Sequence, residues 1–367
     1  MKNIILFTQN LETGGIQKVV SNLANYLYKD YSIFIVLSEN DKKVAYHLNN
    51  GITIKMIKTI KVDVSKPSTA SFLLEYRVKK LNKIIDRIKP ILIFSFGEYS
   101  NIISLKTSYK CKKIVSQRAV FESMKAKNIH LFSFDEYKDM MIKYYPLAEQ
   151  IVCVSDYIAN EILQLNHNLK SKLQTVYNGV DKVEKYYKKI SEKYILNIGR
   201  LHPQKGQLDI ILAFEKIADK IEHNLIIIGE GELREVLENK ILELNLSKRV
   251  HLLGEVQLPY DYLHECELFV FASYYEGFPN ILLEAMSANT AVISYKFEGY
   301  NEILDEKGTN LCKINDVACL SKNILNILKD KNKKVTLAKK MFEISKKFTL
   351  KKSLDKYKKI IIQSIGS

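Results

Sequence analysis

Short runs of aliphatic and β-branched residues alternate along this chain with longer segments whose apolar positions recur at helical spacing. The runs are Ile4–Phe7, Ile33–Leu37, Ile91–Ser95, Ile114–Ser116 and Ile151–Val154, then Ile195–Ile198, Leu225–Ile228, Val250–Leu253, Leu268–Phe271 and Val292–Ser294. Between them lie amphipathic stretches such as Ile16–Tyr28, Leu73–Ile88, Leu208–Ala218 and Leu233–Leu244. Strands buried on both faces read as continuous apolar runs rather than as alternation, and these do. The rhythm of strand, helix, strand predicts an α/β fold built on parallel sheets covered by helices.

The rhythm pauses between residues 178 and 193. Asn178-Gly179 is a turn pair, and the stretch from Asp181 to Lys193 is polar and rich in Lys and Tyr. A new strand then starts at Tyr194. The expected organisation is one domain over residues 1–180 and a second over 181–345. A C-terminal helix over 346–367 is expected to pack back toward the first domain, and its apolar positions include Leu354, Tyr357 and Ile361. Open parallel sheets bind ligands at the carboxyl ends of their strands, so functional residues should follow strands.

Composition narrows the classes. The 367 residues suit two ordinary domains, and 47% hydrophobic with 26% charged is close to the globular average. No run approaches the ~20 apolar residues of a membrane span, and the apolar run after Met1 is too short for a signal peptide. A cytoplasmic location is the expectation. The five cysteines (111, 153, 266, 312 and 319) are scattered and never spaced C-x-x-C, so each is expected to be a small buried hydrophobe. His47, His130, His167, His202, His223, His251 and His264 contain no H-x-x-x-H pair, and no metal site is expected. The formal charge is +15 and uneven: residues 1–180 hold 26 Lys and Arg against 15 Asp and Glu. Such a half calls for an anionic partner, whether nucleic acid, lipid headgroups or a phosphorylated substrate.

Three segments carry chemistry. After the first strand, Asn10-Leu11-Glu12-Thr13-Gly14-Gly15 precedes a helix whose N-terminus offers free N–H groups to an anion; an ordinary β–α turn reads the same way. After Ile198, in Gly199-Arg200-Leu201-His202-Pro203-Gln204-Lys205-Gly206, the glycine is expected to let the chain turn off its strand. Arg200 and Lys205 are expected to reach one anionic site, as a diphosphate leaving group requires. After Phe271 comes Glu276-Gly277-Phe278-Pro279-Asn280-Ile281-Leu282-Leu283-Glu284. Pro279 suits a helix start that aims the amides of Asn280 and Ile281 outward. Two glutamates eight residues apart then sit before and within that helix.

In these residues the chain resembles the retaining glycosyltransferases of family four, which include bacterial mannosyl-, galactosyl- and N-acetylhexosaminyltransferases and sucrose synthases. Gly199-Arg200 with Lys205 and the E-x7-E pair Glu276 and Glu284 carry the resemblance. Gly14-Gly15, the Tyr177–Asp181 stretch and the Gly299–Glu302 region extend it over nearly the whole chain. It implies the GT-B fold, two Rossmann-like domains facing across a cleft, the first (1–180) binding the acceptor and the second (181–345) the nucleotide sugar. It also implies transfer of a hexose or N-acetylhexosamine from a nucleotide diphosphate sugar, UDP being the expected carrier, to a surface-polysaccharide or lipid-linked glycan.

Carried over by position, the resemblance assigns Arg200 and Lys205 to the donor diphosphate, with the amides of Asn280 and Ile281. Glu284 goes to the ribose, Glu276 to the transferred sugar, and Gly15 approaches phosphates or sugar from the first domain. The Leu253–Val256 turn, through Gly254 and Val256, would hold the base. The catalytic set is Glu276, Arg200, Lys205 and Arg118, with no metal and no cofactor. Arg118 stands in Ser116-Gln117-Arg118 where many members have a histidine, and both a sugar contact and an outward orientation fit it. Gly299-Tyr300-Asn301-Glu302 lacks the glycine-rich form frequent in the family.

The basic segment Arg77–Lys89 sets cations opposite Leu81, Ile84, Ile85 and Ile88. A core-packed helix with a solvated face reads so, and so does a contact with an anionic membrane from the cytoplasmic side. Two rival functions stand beside transfer. A sugar-nucleotide 2-epimerase of the same fold would need acid and base carboxylates for elimination. A nucleic-acid-binding protein would use the charge and the 22 tyrosines, but the chain has no helix-turn-helix, RNP-like or zinc-finger pattern.

Overall fold

Residues apolar on every side are satisfied only between layers, and the computed structural model of the protein puts the apolar runs there. It describes residues 1–39, 44–58, 60, 62, 67–125, 131–181, 192–256, 259–306 and 309–366; His130 and most of the polar stretch after Asp181 fall outside them. The chain divides into two compact units, residues 1–178 with 351–367, and residues 179–350.

In the first unit β1 (Asn3–Thr8), β2 (Ser32–Leu37), β3 (Thr53–Met56), β4 (Leu92–Phe96), β5 (Lys112–Gln117), β6 (Gln150–Cys153) and β7 (Leu173–Thr175) form one parallel sheet. Its order is β3-β2-β1-β4-β5-β6-β7. Ile4, Ile5, Leu6 and Phe7 of the central β1 have no exposed surface. Strand order reverses between β1 and β4. Right-handed crossovers therefore set α1 (Gly15–Leu27) on one face, and on the other α2 (Pro67–Ile88), α3 (Glu98–Lys106), α4 (Phe121–Lys125), α5 (Phe134–Tyr144) and α6 (Asp156–Leu165).

The second unit repeats the plan with β8 (Tyr194–Ile198), β9 (Asn224–Ile228), β10 (Val250–Leu252), β11 (Leu268–Phe271), β12 (Val292–Tyr295) and β13 (Asn310–Cys312), all parallel in the order β10-β9-β8-β11-β12-β13. Its helices are α7 (Gln207–Glu215), α8 (Arg234–Glu243), α9 (Pro259–Glu265), α10 (Asn280–Ser287), α11 (Val317–Lys329) and α12 (Lys331–Ser345). Here the order reverses between β8 and β11, so the β8–α7 and β11–α10 loops flank the switch point.

Helix α13 (Leu350–Gly366) belongs, from Lys351, to the first unit. Tyr357 is 1% exposed and its ring centroid lies 5.8 Å from that of Phe94 on β4. Lys358 Nζ is 2.6 Å from Asp30, just beyond α1, and the Tyr26 hydroxyl on α1 donates to Asp355.

One expectation about the cysteines fails. Cys312 on β13 and Cys319 on α11 are joined as a disulfide, their Cα atoms 5.8 Å apart. The strand end and the helix start are separated by one short turn, which sets the two sulfurs side by side. A C-x6-C spacing does not advertise that. Cys111, Cys153 and Cys266 are unpaired. Burial pushes the Cys111 thiol up to about 11 and the Cys266 thiol to about 12, so neither is a thiolate at neutral pH.

Candidate functional site

The β8–α7 loop leaves the sheet against a neighbour that must be glycine. Gly199 N–H bonds Ile228 O at 2.9 Å, and a Cβ built on Gly229 (φ 139°) would lie 2.1 Å from the Gly199 oxygen. Gly199 itself has no left-handed φ, and a Cβ there would make only ordinary contacts, with the Lys205 side chain at 3.6 Å and Gln207 Nε2 at 3.8 Å. The residue that needs to be glycine in this loop is Gly206, with φ 62° and a Cβ position 2.2 Å from Ala272 O. Freedom expected of Gly199 is therefore used at Gly206, where the loop passes against the end of β11 and enters α7.

That close pass brings the two loops of the switch point together. Lys205 Nζ lies 2.5 Å from Glu276 Oε1, and both side chains are mostly covered. The Gln204 carbonyl accepts from Tyr274 N–H at 2.8 Å, and its Nε2 donates to Tyr275 O at 2.6 Å. The carboxylate of Asp209, in the first turn of α7, accepts from the Tyr274 hydroxyl at 3.1 Å and the Tyr295 hydroxyl at 2.9 Å. Burial and that carboxylate push the Tyr274 phenol up to about 12, so it remains a donor. On the other side Gln207, fully buried, donates to Arg200 O at 2.9 Å. The backbone of Arg200 is thus held while its exposed guanidinium has no hydrogen-bond or ion-pair partner among the described residues.

Helix α10 starts four residues after Glu276. Its N-cap is Pro279 and no side chain caps it, so the first-turn N–H groups, including those of Asn280 and Ile281, are open to a ligand. Glu284, 6% exposed, accepts from the Tyr260 hydroxyl at 3.4 Å. Beyond β10, Gly254 (φ 72°) bridges to Gly229, and its carbonyl accepts from Gly229 N–H at 2.9 Å. Arg234 ties this turn to the rest, with Nη1 2.5 Å from Glu230 and Nη2 3.3 Å from Leu252 O. Val256 follows, half-buried. Tyr300–Glu302 form a 3-10 turn entered through Gly299 at φ 77°, and the Glu302 N–H donates to Gly299 O.

The remaining two positions lie in the first unit. Gly15, exposed, opens α1, which no side chain caps. Arg118 is 9% exposed and turned into its own unit. Nη1 donates to the Tyr357 hydroxyl at 3.1 Å and Nη2 to Asn178 Oδ1 at 2.5 Å. Sequence reasoning missed Gln204, Gln207, Asp209 and Tyr274. The signal available was three polar residues, buried to nine-tenths or more, within and just before the otherwise apolar start of α7.

The second unit therefore presents, around one switch point, a free guanidinium, an ammonium, two carboxylates and an uncapped helix N-terminus. Cations and open amides suit a polyanion, and carboxylates suit hydroxyl donors. Among the described residues no group of three or more His, Cys, Asp or Glu is placed to hold a metal ion.

Comparison with known proteins agrees with this division of the chain. A family model described as Glycosyltransferase Family 4 matches residues 13–184, and one described as Glycosyl transferases group 1 matches residues 181–347. The N-acetylgalactosamine-N,N'-diacetylbacillosaminyl-diphospho-undecaprenol 4-alpha-N-acetylgalactosaminyltransferase of Campylobacter jejuni is 28% identical, over 92% of this chain and 95% of its own. Sucrose-phosphate synthase of Thermosynechococcus elongatus superposes with a TM-score of 0.84 at 18% identity, covering 99% of each chain. HepE of Anabaena, solved in complex with UDP-glucose, superposes at 0.79 with 16% identity, over 99% of this chain and 100% of its own.

Proposed function

Because the chain belongs to glycosyltransferase family four and has the GT-B fold, we propose that it moves a hexose or N-acetylhexosamine from a UDP-sugar, with retention, to a lipid-linked or surface-polysaccharide glycan. The observation that carries the proposal is the meeting of Lys205 and Glu276 at the switch point, beside Arg200 and the open start of α10. UDP as the carrier is supported by HepE, whose structure holds UDP-glucose. A lipid-linked acceptor is supported by the name of the Campylobacter relative.

In this reading Arg200, Lys205 and the amides of Asn280 and Ile281 bind the diphosphate. They stabilise the negative charge that builds on it as the bond from the sugar's anomeric carbon to the phosphate oxygen breaks. The acceptor oxygen forms its bond to that carbon on the same face, and its proton passes to the departing phosphate oxygen. The protein positions and neutralises rather than supplying a nucleophile. Glu276 orients the transferred sugar, Glu284 accepts from the ribose hydroxyls, and the turn with Gly254 and Val256 holds the base. Cationic side chains do the work of a metal ion. Arg118, whose guanidinium is engaged by Tyr357 and Asn178, is assigned to positioning.

A thermal-shift panel of nucleotide sugars tests the assignment. Arg200→Ala and Glu284→Ala should each weaken the best ligand by roughly ten- to a hundredfold, as expected for lost charge-assisted hydrogen bonds. If both bind it as the parent does, the site is wrong.

A peripheral membrane location goes with a lipid-linked acceptor. Among the described residues no helix is long and apolar enough to cross a membrane. The outer side of α2 carries exposed Phe72, Lys79, Lys83 and Arg87 together with the carboxylates Glu75 and Asp86, and we assign this net cationic face to an anionic lipid surface. Co-sedimentation with vesicles containing phosphatidylglycerol, and not with phosphatidylcholine alone, is the expected result. Equal recovery with both would dispose of the assignment.

A further inference from the structure

One cysteine pair stands apart from the other thiols of the chain. Cys111, Cys153 and Cys266 are unpaired, and burial holds their thiols protonated at neutral pH. A chain with three such thiols is no disulfide framework, so the Cys312–Cys319 bridge needs its own explanation. It closes a short loop, which removes less entropy from the unfolded chain than a long one and leaves the bond easier to open.

The two sulfurs differ in access. Cys312 ends β13 and is 1% exposed, whereas Cys319, in the first turn of α11, is half-buried. Asn323, one turn further along α11, aims its amide at both: Nδ2 lies 3.2 Å from Cys312 Sγ and 3.6 Å from Cys319 Sγ. Lys313 follows Cys312, and Lys322 stands three residues beyond Cys319; both are exposed. Asp316 opposes them, capping α11 by accepting the Cys319 N–H at 2.9 Å. An amide donor, a helix start and two ammonium groups against one engaged carboxylate favour a thiolate.

Both ends of the bridge press on the contact between Asp209 and its two tyrosines. Cys312 is the ladder partner of Tyr295 on β12, and its carbonyl accepts from the Lys296 N–H at 2.8 Å. On the other side α11 packs against α7, which carries Asp209. Asp209 accepts from the hydroxyls of Tyr295 and Tyr274, and Tyr274 stands two residues before Glu276. The bridge thus clamps together the elements whose approach makes that contact.

We propose that Cys312 and Cys319 form a reversible thiol–disulfide switch, opened by a dithiol reductant and closed by a peroxide, that loosens or tightens the loop carrying Glu276. The reductant's thiolate attacks the reachable sulfur, Cys319 Sγ. The S–S bond breaks and its electron pair leaves on Cys312 Sγ, to which the Asn323 amide donates. The reductant's second thiolate attacks its own sulfur in the mixed disulfide and releases the Cys319 thiolate; each cysteine then takes a proton from water. Two electrons and two protons have passed to the protein, and the reductant departs as a disulfide. In reverse, the Cys319 thiolate takes an oxygen from hydrogen peroxide, giving a sulfenic acid and hydroxide, and the Cys312 thiolate displaces a second hydroxide from it. The link to the donor deepens the glycosyltransferase reading and rests on it; the sulfur exchange and its effect on the loop do not.

The full chain, without denaturant, is reduced with dithiothreitol or oxidised with one equivalent of hydrogen peroxide, then desalted. Alkylation in denaturant should count three free thiols of the five after peroxide and all five after dithiothreitol. In the reduced form amide hydrogen exchange over residues 272–276 should be roughly threefold faster or more, and the melting midpoint lower by about 5–10 °C. UDP should bind roughly threefold more weakly or worse. Cys319→Ser should match the reduced parent throughout and lose the response to dithiothreitol. A count fixed at three under native reduction, or one that peroxide does not restore, overturns the switch. So does exchange at 272–276 that reduction leaves unmoved, or a Cys319→Ser protein that still responds. UDP bound equally by both forms overturns the link to the donor. If neither form binds UDP yet exchange follows the thiol count, the switch stands and the transferase reading is what fails.

Discussion

Alanine at position 206 separates a loop that needs its glycine from one that merely contains glycines. At φ 62° an alanine is left-handed, which costs roughly 1–2 kcal/mol. Its Cβ would sit 2.2 Å from Ala272 O, where real Cβ atoms stay beyond 3.0 Å, so main chain must move by about 0.8 Å. Overpacking of that kind adds about 1–3 kcal/mol. The sum, about 2–5 kcal/mol, corresponds to a melting shift of roughly 5–15 °C for a unit of this size. The displaced residues are Lys205, next in the chain, and Ala272, whose loop carries Glu276, so donor affinity should fall together with stability. Gly199→Ala is the control, because its Cβ meets only side chains at ordinary contact distance, methylenes of Lys205 at 3.6 Å and Gln207 Nε2 at 3.8 Å, and its φ is not left-handed. Differential scanning calorimetry and titration with UDP measure both. A Gly206→Ala protein melting within about 2 °C of the parent, or a Gly199→Ala protein falling as far, would refute the reasoning.

Other outcomes follow from the same geometry. Tyr274→Phe removes one of two hydroxyls on Asp209 and should cost about 1 kcal/mol of stability while lowering kcat more than it raises the donor KM; unchanged kcat would show that the Glu276 loop is held without it. If Arg200, Lys205 and α10 neutralise the leaving group, excess EDTA should leave UDP release unchanged, and a rate that collapses and returns with magnesium would contradict this. Burial holds the pKa of His223 below its ordinary value, against Glu222, which raises it, and with Lys193, Lys334 and Arg249, which lower it. The unfolded chain therefore binds the extra proton, and stability should decline as pH falls below about 6.5. His223→Gln should flatten urea midpoints between pH 7 and 5; an equally steep decline would place the sensitivity elsewhere.

The interior strands were legible because both their faces are buried. Ile4–Phe7 and Leu268–Phe271 have no polar position to interrupt the run, and Leu268–Phe271 is the strand to the residue. The edges were not. Thr53–Met56, Leu173–Thr175 and Asn310–Cys312 are short and partly exposed, so they lack that signature and went unread. The same contrast holds at the site. Arg200, Lys205 and Glu276 stand in loops that follow strands, where topology makes a polar residue conspicuous, and Glu284, inside α10, was read from its spacing to Glu276. Asp209 acquires its meaning from Tyr274 and Tyr295, 65 and 86 residues away, and no local spacing reports a bond of that length. Arg118 was readable as a position and not as a direction, since its partner Tyr357 lies 239 residues on.

The membership of residues 351–367 in the first unit has a consequence for biosynthesis. A ribosome delivers the seven strands of that unit early, but Tyr357, which covers Phe94, only after the whole intervening unit has been made. Until then the nascent sheet carries an uncovered aromatic surface, a target for chaperones, whereas residues 179–350 emerge as an uninterrupted folding unit. Premature termination near residue 350 would thus injure the half of the protein translated first.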